Sequence, residues 1–314
     1  GARVEQRTEA LTESDERAAS DGGQFNWSAP PLTRTELRER FATADRTTLA
    51  VFAFAGALFL AFTVYTSLLY RGYWLTGADF GSYLHMFWTT VNGHGFLQQG
   101  KFRVSHPSMV YWGGHFSLTL LAFLPFFAIW QSPYALLVMK SFLLAASVPL
   151  LWFVARQHIE SRRLAGLVVL SYAFNPFFWS AWAFDFQEQS LLPVLVLGGY
   201  LLYVRGRRVG FLVLLTLAMF TNEFVIPLAF GFLLGLAASE FTHGEFPSAD
   251  RRTILAGFGL VMVAHVVAGF VISYFSTVSG VPVGVLATPF QPLVDGHRIS
   301  LGSLLPIALL NPDA

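Results

Sequence analysis

The chain alternates between long apolar runs and short breaks rich in polar or charged residues. The first run, 49–70, contains no charged residue. At a rise of about 1.5 Å per residue, a helix of that length crosses a hydrocarbon core roughly 30 Å thick. The later runs predict further crossings at 134–155, 164–179, 190–204, 209–221, 223–239 and 253–275. The pattern therefore predicts an all-α, polytopic transmembrane helix bundle.

One further apolar run, 116–130, decides the predicted topology. Lys and Arg accumulate in cytoplasmic loops, and the Arg-rich breaks are 34–46, 156–163, 205–208 and 250–252. All four breaks lie inside if 116–130 does not cross but lies in the outer surface as a short helix kinked at Pro125. We therefore expect a multi-pass protein of the cell membrane with a cytoplasmic N-terminus. Its first external loop, 71–131, is large and contains juxtamembrane helices.

The two ends of the chain differ from its middle. Residues 1–46 mix charged and small polar side chains and hold too few large apolar ones to repay the entropy of ordering. We expect a disordered cytoplasmic tail there, with a short helix at 35–41, followed by the transmembrane module at 47–275. Residues 276–314 are predicted to form an external loop and the start of a further apolar segment, which indicates a longer protein.

Composition narrows the function classes. Hydrophobic residues make up 54% of the chain and charged residues only 12%, as is typical of a membrane protein. The net charge is +1 and no basic cluster carries interleaved aromatic residues, so we expect no nucleic-acid partner. The chain has no cysteine and therefore no disulfide or thiolate metal ligand. It also lacks a phosphate-binding glycine loop and a Ser-His-Asp arrangement.

Asp79 stands just outside the first apolar run, between Gly77 and Gly81. A carboxylate at the membrane surface with open space beside it can act as a general base or as an anchor for a metal ion. The alternative is a helix N-cap, since a plausible amphipathic helix follows and ends at a glycine turn near Gly93. Both interpretations stay open.

Further polar residues collect on the predicted outer side. His85 lies in the helix that Asp79 begins, and His106 and His115 flank a Trp-Gly-Gly turn. Neutral imidazoles at that turn can bind a metal or a phosphate-bearing group, or can simply make hydrogen bonds at the interface. Asp185 and Glu188 are three residues apart and share a face if a helix has begun there. They suit metal binding or acid–base chemistry opposite Asp79, or a capped, solvated loop.

Two polar positions interrupt apolar segments. Asn222 and Glu223 lie where the chain turns at or below the outer surface, and acids at such depth are costly and usually functional. Lys140 lies six residues inside the crossing that starts at 134. Its long stem can snorkel to the outer interface, or its charge can bind an anionic lipid head group.

Four segments between 70 and 238 together resemble a known pattern. Their order and spacing are similar to the GT-C superfamily of membrane glycosyltransferases and, more closely, to a family of predicted prokaryotic membrane proteins grouped with it. The segments are ADFGSYLHMFWTTVNGHG, HFSLTLLAFLPFFAIWQSPYALLV, AFDFQEQSLLPVL and FTNEFVIPLAFG.

The resemblance implies an enzyme that transfers a hexosyl or pentosyl group from a polyprenyl-phosphate-linked donor at the outer face. Asp79 then matches the catalytic acid of the first loop, and Asp185 and Glu188 match the second acidic loop. A divalent cation, Mg²⁺ or Mn²⁺, is the cofactor to test for, with these three acids as its candidate ligands.

The chain departs from the pattern where relatives often place Lys-Glu-Asp. Here Asn222 replaces the Lys and Phe224 replaces the Asp. Lys140, His106 or His115 would then supply positive charge near the leaving phosphate. The departure keeps an alternative open, namely a non-catalytic GT-C-like subunit that binds lipid or a partner protein in a larger complex. A second alternative, a transporter, is weakened because no inverted repeat is visible.

Overall fold

The computed structural model describes residues 45–75, 79–99, 110–242 and 248–278. Within these ranges the regular elements are α-helices and short 3₁₀ turns, and no β-strand is present. The predicted all-α polytopic bundle is confirmed. Some predictions concern residues outside the described ranges. They are the predicted tail 1–46 as far as residue 44, with its helix at 35–41, the predicted external segment 276–314 from residue 279 onward, and His106.

The described ranges contain ten α-helices. In chain order they are α1 (Arg46–Arg71), α2 (Asp79–Val91), α3 (Leu124–Ile129), α4 (Pro133–His158), α5 (Arg162–Ala173), α6 (Pro176–Ala183), α7 (Leu192–Val204), α8 (Arg208–Met219), α9 (Val225–Thr242) and α10 (Ser248–Val278). Three 3₁₀ turns, Tyr111–Gly113, Leu118–Ala122 and Glu188–Leu191, connect them at the site described below.

Four of these helices are long and apolar enough to cross a membrane, namely α1, α4, α9 and α10. Helices α5 and α6 form a fifth candidate span that is bent by 45° at their junction. The bend has a local cause, because Pro176 begins α6 and the side chain of Asn175 accepts the N–H of Phe177 at 2.9 Å. The predicted crossing at 164–179 is thus a broken one.

The two remaining predicted crossings are shorter than a full span. Helix α7 has 13 residues and α8 has 12, whereas about 20 are needed to cross the hydrocarbon core upright. The 3₁₀ turn Glu188–Leu191 extends α7 at its start, so together they form one apolar segment. These two helices pack closely against each other.

The run 116–130 forms a 3₁₀ turn followed by α3, which has six residues. Neither element is long enough to cross, in agreement with the predicted short helix. Pro125 lies in the first turn of α3, where a proline fits a helix without kinking it. Phe127 packs α3 onto Phe87 of α2, with ring centroids 5.7 Å apart.

Helix α4 is the centre of the described bundle, because it packs against α1, α5, α6 and α7. Trp152 of α4 and Trp182 of α6 are both almost completely buried, and Trp182 stacks on Phe62 of α1 at 4.0 Å between ring centroids. Large apolar side chains on α1, α9 and α10 are exposed, as expected of surfaces that face lipid.

Candidate functional site

The first loop and the loop after α6 meet at the start of α2. Asp79 is the first residue of α2, and the backbone N–H of the next residue, Phe80, donates to Oδ2 of Asp185 at 3.3 Å. Asp185 is only 3% exposed. A carboxylate at a helix N-terminus satisfies one of the otherwise unpaired N–H groups and interacts favourably with the helix dipole. Asp185 therefore positions the helix that carries Asp79.

Lys140 positions the loop that carries Asp185. Its Nζ donates to the carbonyl of Trp182 at 2.8 Å and to that of Phe184, at the C-terminal end of α6. A cation is favourable there because the last carbonyls of a helix lack partners. The ammonium is completely buried, so it does not snorkel to the surface as the sequence suggested. The C-terminal end of α6 supplies the carbonyls that hold it inside.

Glu188 is completely buried in a cluster of hydroxyl and amide groups. Tyr111 Oη lies 3.2 Å and Asn222 Nδ2 lies 3.3 Å from its Oε1, and Tyr83 Oη contacts its Oε2. The two tyrosine oxygens are 2.9 Å apart, and Tyr83 Oη is also 3.0 Å from Gln187 Oε1. Oxygen atoms outnumber the hydrogens available to join them.

The protonation of this cluster follows from its burial. Burial raises the pKa of Glu188, against hydrogen bonds from Tyr83 and Asn222 that lower it. Burial and the neighbouring Glu188 raise the pKa of Tyr83 and of Tyr111 well above 10.0, so both hydroxyls keep their protons. Two tyrosine hydrogens serve two of the four oxygen–oxygen contacts, and a protonated Glu188 adds a third hydrogen. The geometry and the raised pKa thus both favour a neutral carboxyl.

Glu223 joins the segment at His115 and Phe116 to the break between α8 and α9. Its Oε1 lies 3.0 Å from His115 Nδ1, and its Oε2 accepts the backbone N–H of Phe116 at 2.8 Å. The His115 ring also packs on Tyr111, with centroids 5.2 Å apart. The acid that the sequence places at an unusual depth is therefore paired, and it connects the elements on either side of the Glu188 cluster.

Two cavities meet at Asp79. The larger has a volume of about 900 Å³ and a mainly apolar lining surface, to which Tyr172, Phe177, Phe178 and Phe184 contribute aromatic rings. The smaller has a volume of about 230 Å³ and a largely polar lining. Three residues line both cavities, and they are Asp79, Gln187 and Gln189. The carboxylate of Asp79 can therefore act on molecules held in either cavity.

The structure separates the predicted site residues into several groups. Asp79 and Asp185 line the larger cavity, and Asp79, His115 and Asn222 line the smaller one. Glu188, Glu223 and Lys140 lie behind these walls and bind the surrounding backbone and side chains. His85 directs Nδ1 to the carbonyl of Gln98 at 2.9 Å, beside the smaller cavity.

A metal site does not form from the predicted acids. In the part of the chain that the structure describes, no three His, Cys, Asp or Glu residues are grouped so that they could hold a metal ion. The reason is visible for two of the three candidates, since Asp185 points at the N–H of Phe80 and Glu188 points into the tyrosine cluster. Asp79, Asp185 and Glu188 thus do not fit a resident Mg²⁺ or Mn²⁺.

Several residues of the site carry no signal that sequence reasoning used. Tyr83 is one helical turn after Asp79 and so shares its face of α2, a spacing that would have indicated it. Gln187 and Gln189 lie in one of the segments that carry the resemblance, where no role was predicted for their amides, and Gln99 and Tyr111 lie outside all four segments. They are recognisable only because folding places them around one cavity.

Comparison with known proteins gives one match. A family model described as a predicted membrane protein (DUF2079) matches residues 65–301. The matched segment covers most of the chain and contains every cavity-lining residue from Asp79 to Phe224. No curated protein and no solved structure matches the chain.

Proposed function

The chain belongs to this family of predicted membrane proteins, and on that premise we propose that it is a membrane glycosyltransferase. It takes a sugar from a polyprenyl-phosphate-linked donor at the outer face of the membrane. The observation that carries the proposal is the position of Asp79, which lines two cavities of different chemistry. A transferase with a lipid donor needs two such spaces with a base between them.

The larger cavity suits the donor. Its aromatic walls can hold an isoprenoid chain, and Phe177 and Phe184 are also exposed on the outside of the bundle, where lipid would lie. Polar groups of Asn175, Ser180 and Gln187 line the same space and can bind a sugar and its phosphate. The donor would thus keep its tail in an apolar environment while its anomeric carbon approaches Asp79.

The chemistry assigns a simple role to Asp79. Its carboxylate takes the proton from a hydroxyl of the acceptor, and the oxygen attacks the anomeric carbon of the donor sugar. The bond between that carbon and the phosphate oxygen breaks, and the lipid phosphate leaves with the bonding electrons. Side-chain N–H groups of Gln187 and Gln189 are the donors available to the leaving oxygen in the shared wall.

One observation favours the alternative of a non-catalytic subunit. Within the described ranges, no Lys or Arg lines either cavity, so no cation of the described walls meets the leaving phosphate. A subunit that only binds lipid or a partner protein would not need one. This alternative predicts a stable copurifying partner and no transfer by the protein alone.

The test is transfer of a labelled sugar from polyprenyl-phosphate donors by the purified protein in detergent. Asp79→Asn keeps the size of the side chain and removes its basicity, so turnover should fall by about 10²-fold or more while folding is unchanged. Asp250→Asn is the matched control. Asp250 Oδ1 lies 3.0 Å from Arg208 Nε, and neither residue lines either cavity. Full activity of Asp79→Asn would contradict the role of the base. No transfer by the unaltered protein with any donor would support the non-catalytic alternative.

A further inference from the structure

The wall of the smaller cavity leaves two buried amide atoms without a hydrogen bond. Across the described parts of the chain, neither Gln99 Nε2 nor Gln189 Oε1 has a partner. Gln99 is only 1% exposed, so its amide does not reach bulk solvent. Buried polar groups are nearly always hydrogen-bonded, and an exception calls for an explanation. One of these atoms is a donor and the other an acceptor, and both belong to residues of the same wall.

The rest of the lining has the same character. It includes the hydroxyls of Ser82, Tyr83 and Tyr111 and the amide of Asn222, together with the apolar surface of Phe224. Both tyrosine hydroxyls keep their protons because of the raised pKa described above. A ligand hydroxyl both donates and accepts hydrogen bonds, and it is the group that matches a wall of mixed neutral donors and acceptors.

Charge excludes most other ligands. The ionisable groups in or directly behind the wall are Asp79, the buried Glu188, and His115 with its partner Glu223. Because Glu188 is neutral, an anionic ligand would meet the carboxylate of Asp79 and one histidine that is already paired with Glu223. Like charges brought together without compensation disfavour binding.

We propose that the smaller cavity is the binding site of a neutral, polyhydroxylated ligand with the size of a single sugar ring. Its volume of about 230 Å³ lies below the roughly 300–1,000 Å³ of pockets that take larger organic ligands. That this ligand is the acceptor of the transferred sugar rests on the proposed function. Because Asp79 lines the same cavity, a ligand hydroxyl bound there lies beside the base.

The binding test compares neutral sugars with matched anionic ones. Methyl glycosides of hexoses and pentoses, and the corresponding uronic acids, are presented to the purified protein in lipid nanodiscs, and contact is read by saturation-transfer NMR. At least one neutral glycoside should bind, and its uronic acid should bind at least tenfold more weakly. Binding of the anionic sugars alone, or of no member of the panel, would overturn the proposal.

A variant connects this binding to the unpaired amide. Gln99→Leu removes an amide whose Nε2 has no partner in the described chain, so thermal stability should be unchanged or higher while binding of the neutral glycoside falls at least tenfold. Gln189→Leu should have the same effect on binding and provides a second test if the first variant folds poorly. Gln157→Leu is the matched control, since Gln157 is exposed at the far end of α4. Unchanged binding per folded protein in both cavity variants would overturn the assignment.

The outcomes separate this inference from the proposed function. Binding of a neutral glycoside without any sugar transfer would support the site and contradict the transferase. Transfer to an acceptor that carries no sugar, with turnover insensitive to Gln99→Leu and Gln189→Leu, would support the transferase and contradict the site.

Discussion

The carboxylate of Asp185 accepts the backbone N–H of Phe80 at 3.3 Å, across 105 positions of the chain. This hydrogen bond joins the two acidic segments that the sequence presents separately. It also sets where α2 begins, and therefore where Asp79 stands between the two cavities. Asp185 thus acts on the proposed base through the backbone of α2.

Asp185→Ala should lower the free energy of unfolding by about 1 kcal/mol, because an N–H at the start of α2 loses its acceptor. Sugar transfer should fall further than the folded fraction, since Asp79 is no longer held in place. Asp185→Asn keeps an acceptor oxygen and should retain most of the turnover. Thermal unfolding and transfer assays on the same preparations measure both effects. If Asp185→Asn were as inactive as Asp79→Asn, the charge of Asp185 would itself be required.

Lys140→Met should destabilise the protein by about 2–4 kcal/mol. The substitution leaves the buried carbonyls of Trp182 and Phe184 without the charged donor they have now. Binding of polyprenyl phosphate per folded molecule should be unchanged, because the ammonium is buried against backbone. Chemical denaturation and a lipid-binding assay test the two statements separately. Reduced lipid affinity at normal stability would instead support the phosphate-binding role that the sequence suggested.

Glu188→Gln should remove part of the pH dependence of stability. Burial raises the folded pKa of Glu188 above its ordinary value of 4.5, so the unfolded chain releases this proton at a lower pH than the folded protein does. The stability contributed by the protonated carboxyl is complete below about 4.5 and is lost as pH rises through the folded pKa. The variant cannot titrate there and should gain stability relative to the parent as pH rises.

Melting temperatures of the two proteins between about pH 4.5 and 8 measure this difference. Glu160→Gln is the control, since Glu160 is exposed. Parallel melting curves for the parent and Glu188→Gln would mean that Glu188 titrates alike in the folded and unfolded states, against the neutral buried carboxyl described above.

The predicted orientation has a direct test, since the chain has no cysteine. Gln131→Cys and Ser161→Cys place single thiols at exposed positions on either side of α4, a candidate span. The Arg-rich breaks predict that residue 161 is cytoplasmic and residue 131 external. An impermeant thiol reagent should therefore label the first variant in intact cells and the second only after lysis. The reverse result would place both cavities on the cytoplasmic side and contradict an external lipid-linked donor.

The sequence by itself determined the long membrane-crossing elements. The predicted crossings at 49–70, 134–155 and 253–275 correspond to α1, α4 and α10, each within a few residues. This agreement has a local cause, because a helix can cross the hydrocarbon core only if enough consecutive residues are apolar. The same reasoning is weaker for 164–179, where Asn175 and Pro176 break the helix, and for the short α7 and α8.

Only the tertiary structure decided which polar groups meet. Asp185 and Glu188 would share a face in a helix, but α6 ends at Ala183 and Gln187 is extended, with φ of −139° and ψ of 141°. The two acids therefore separate, one to the start of α2 and the other into the tyrosine cluster.

The meeting of Gln99 and Gln189 is even less predictable from the sequence, because no local pattern distinguishes their amides from those of other polar loop residues. They line one cavity because α2, the turn at Tyr111–Gly113 and the turn at Glu188–Leu191 pack together. The length of an apolar run is a local property of the chain and can be read directly from the sequence. Hydrogen bonds between residues about a hundred positions apart depend on how the helices pack, which the local pattern does not contain.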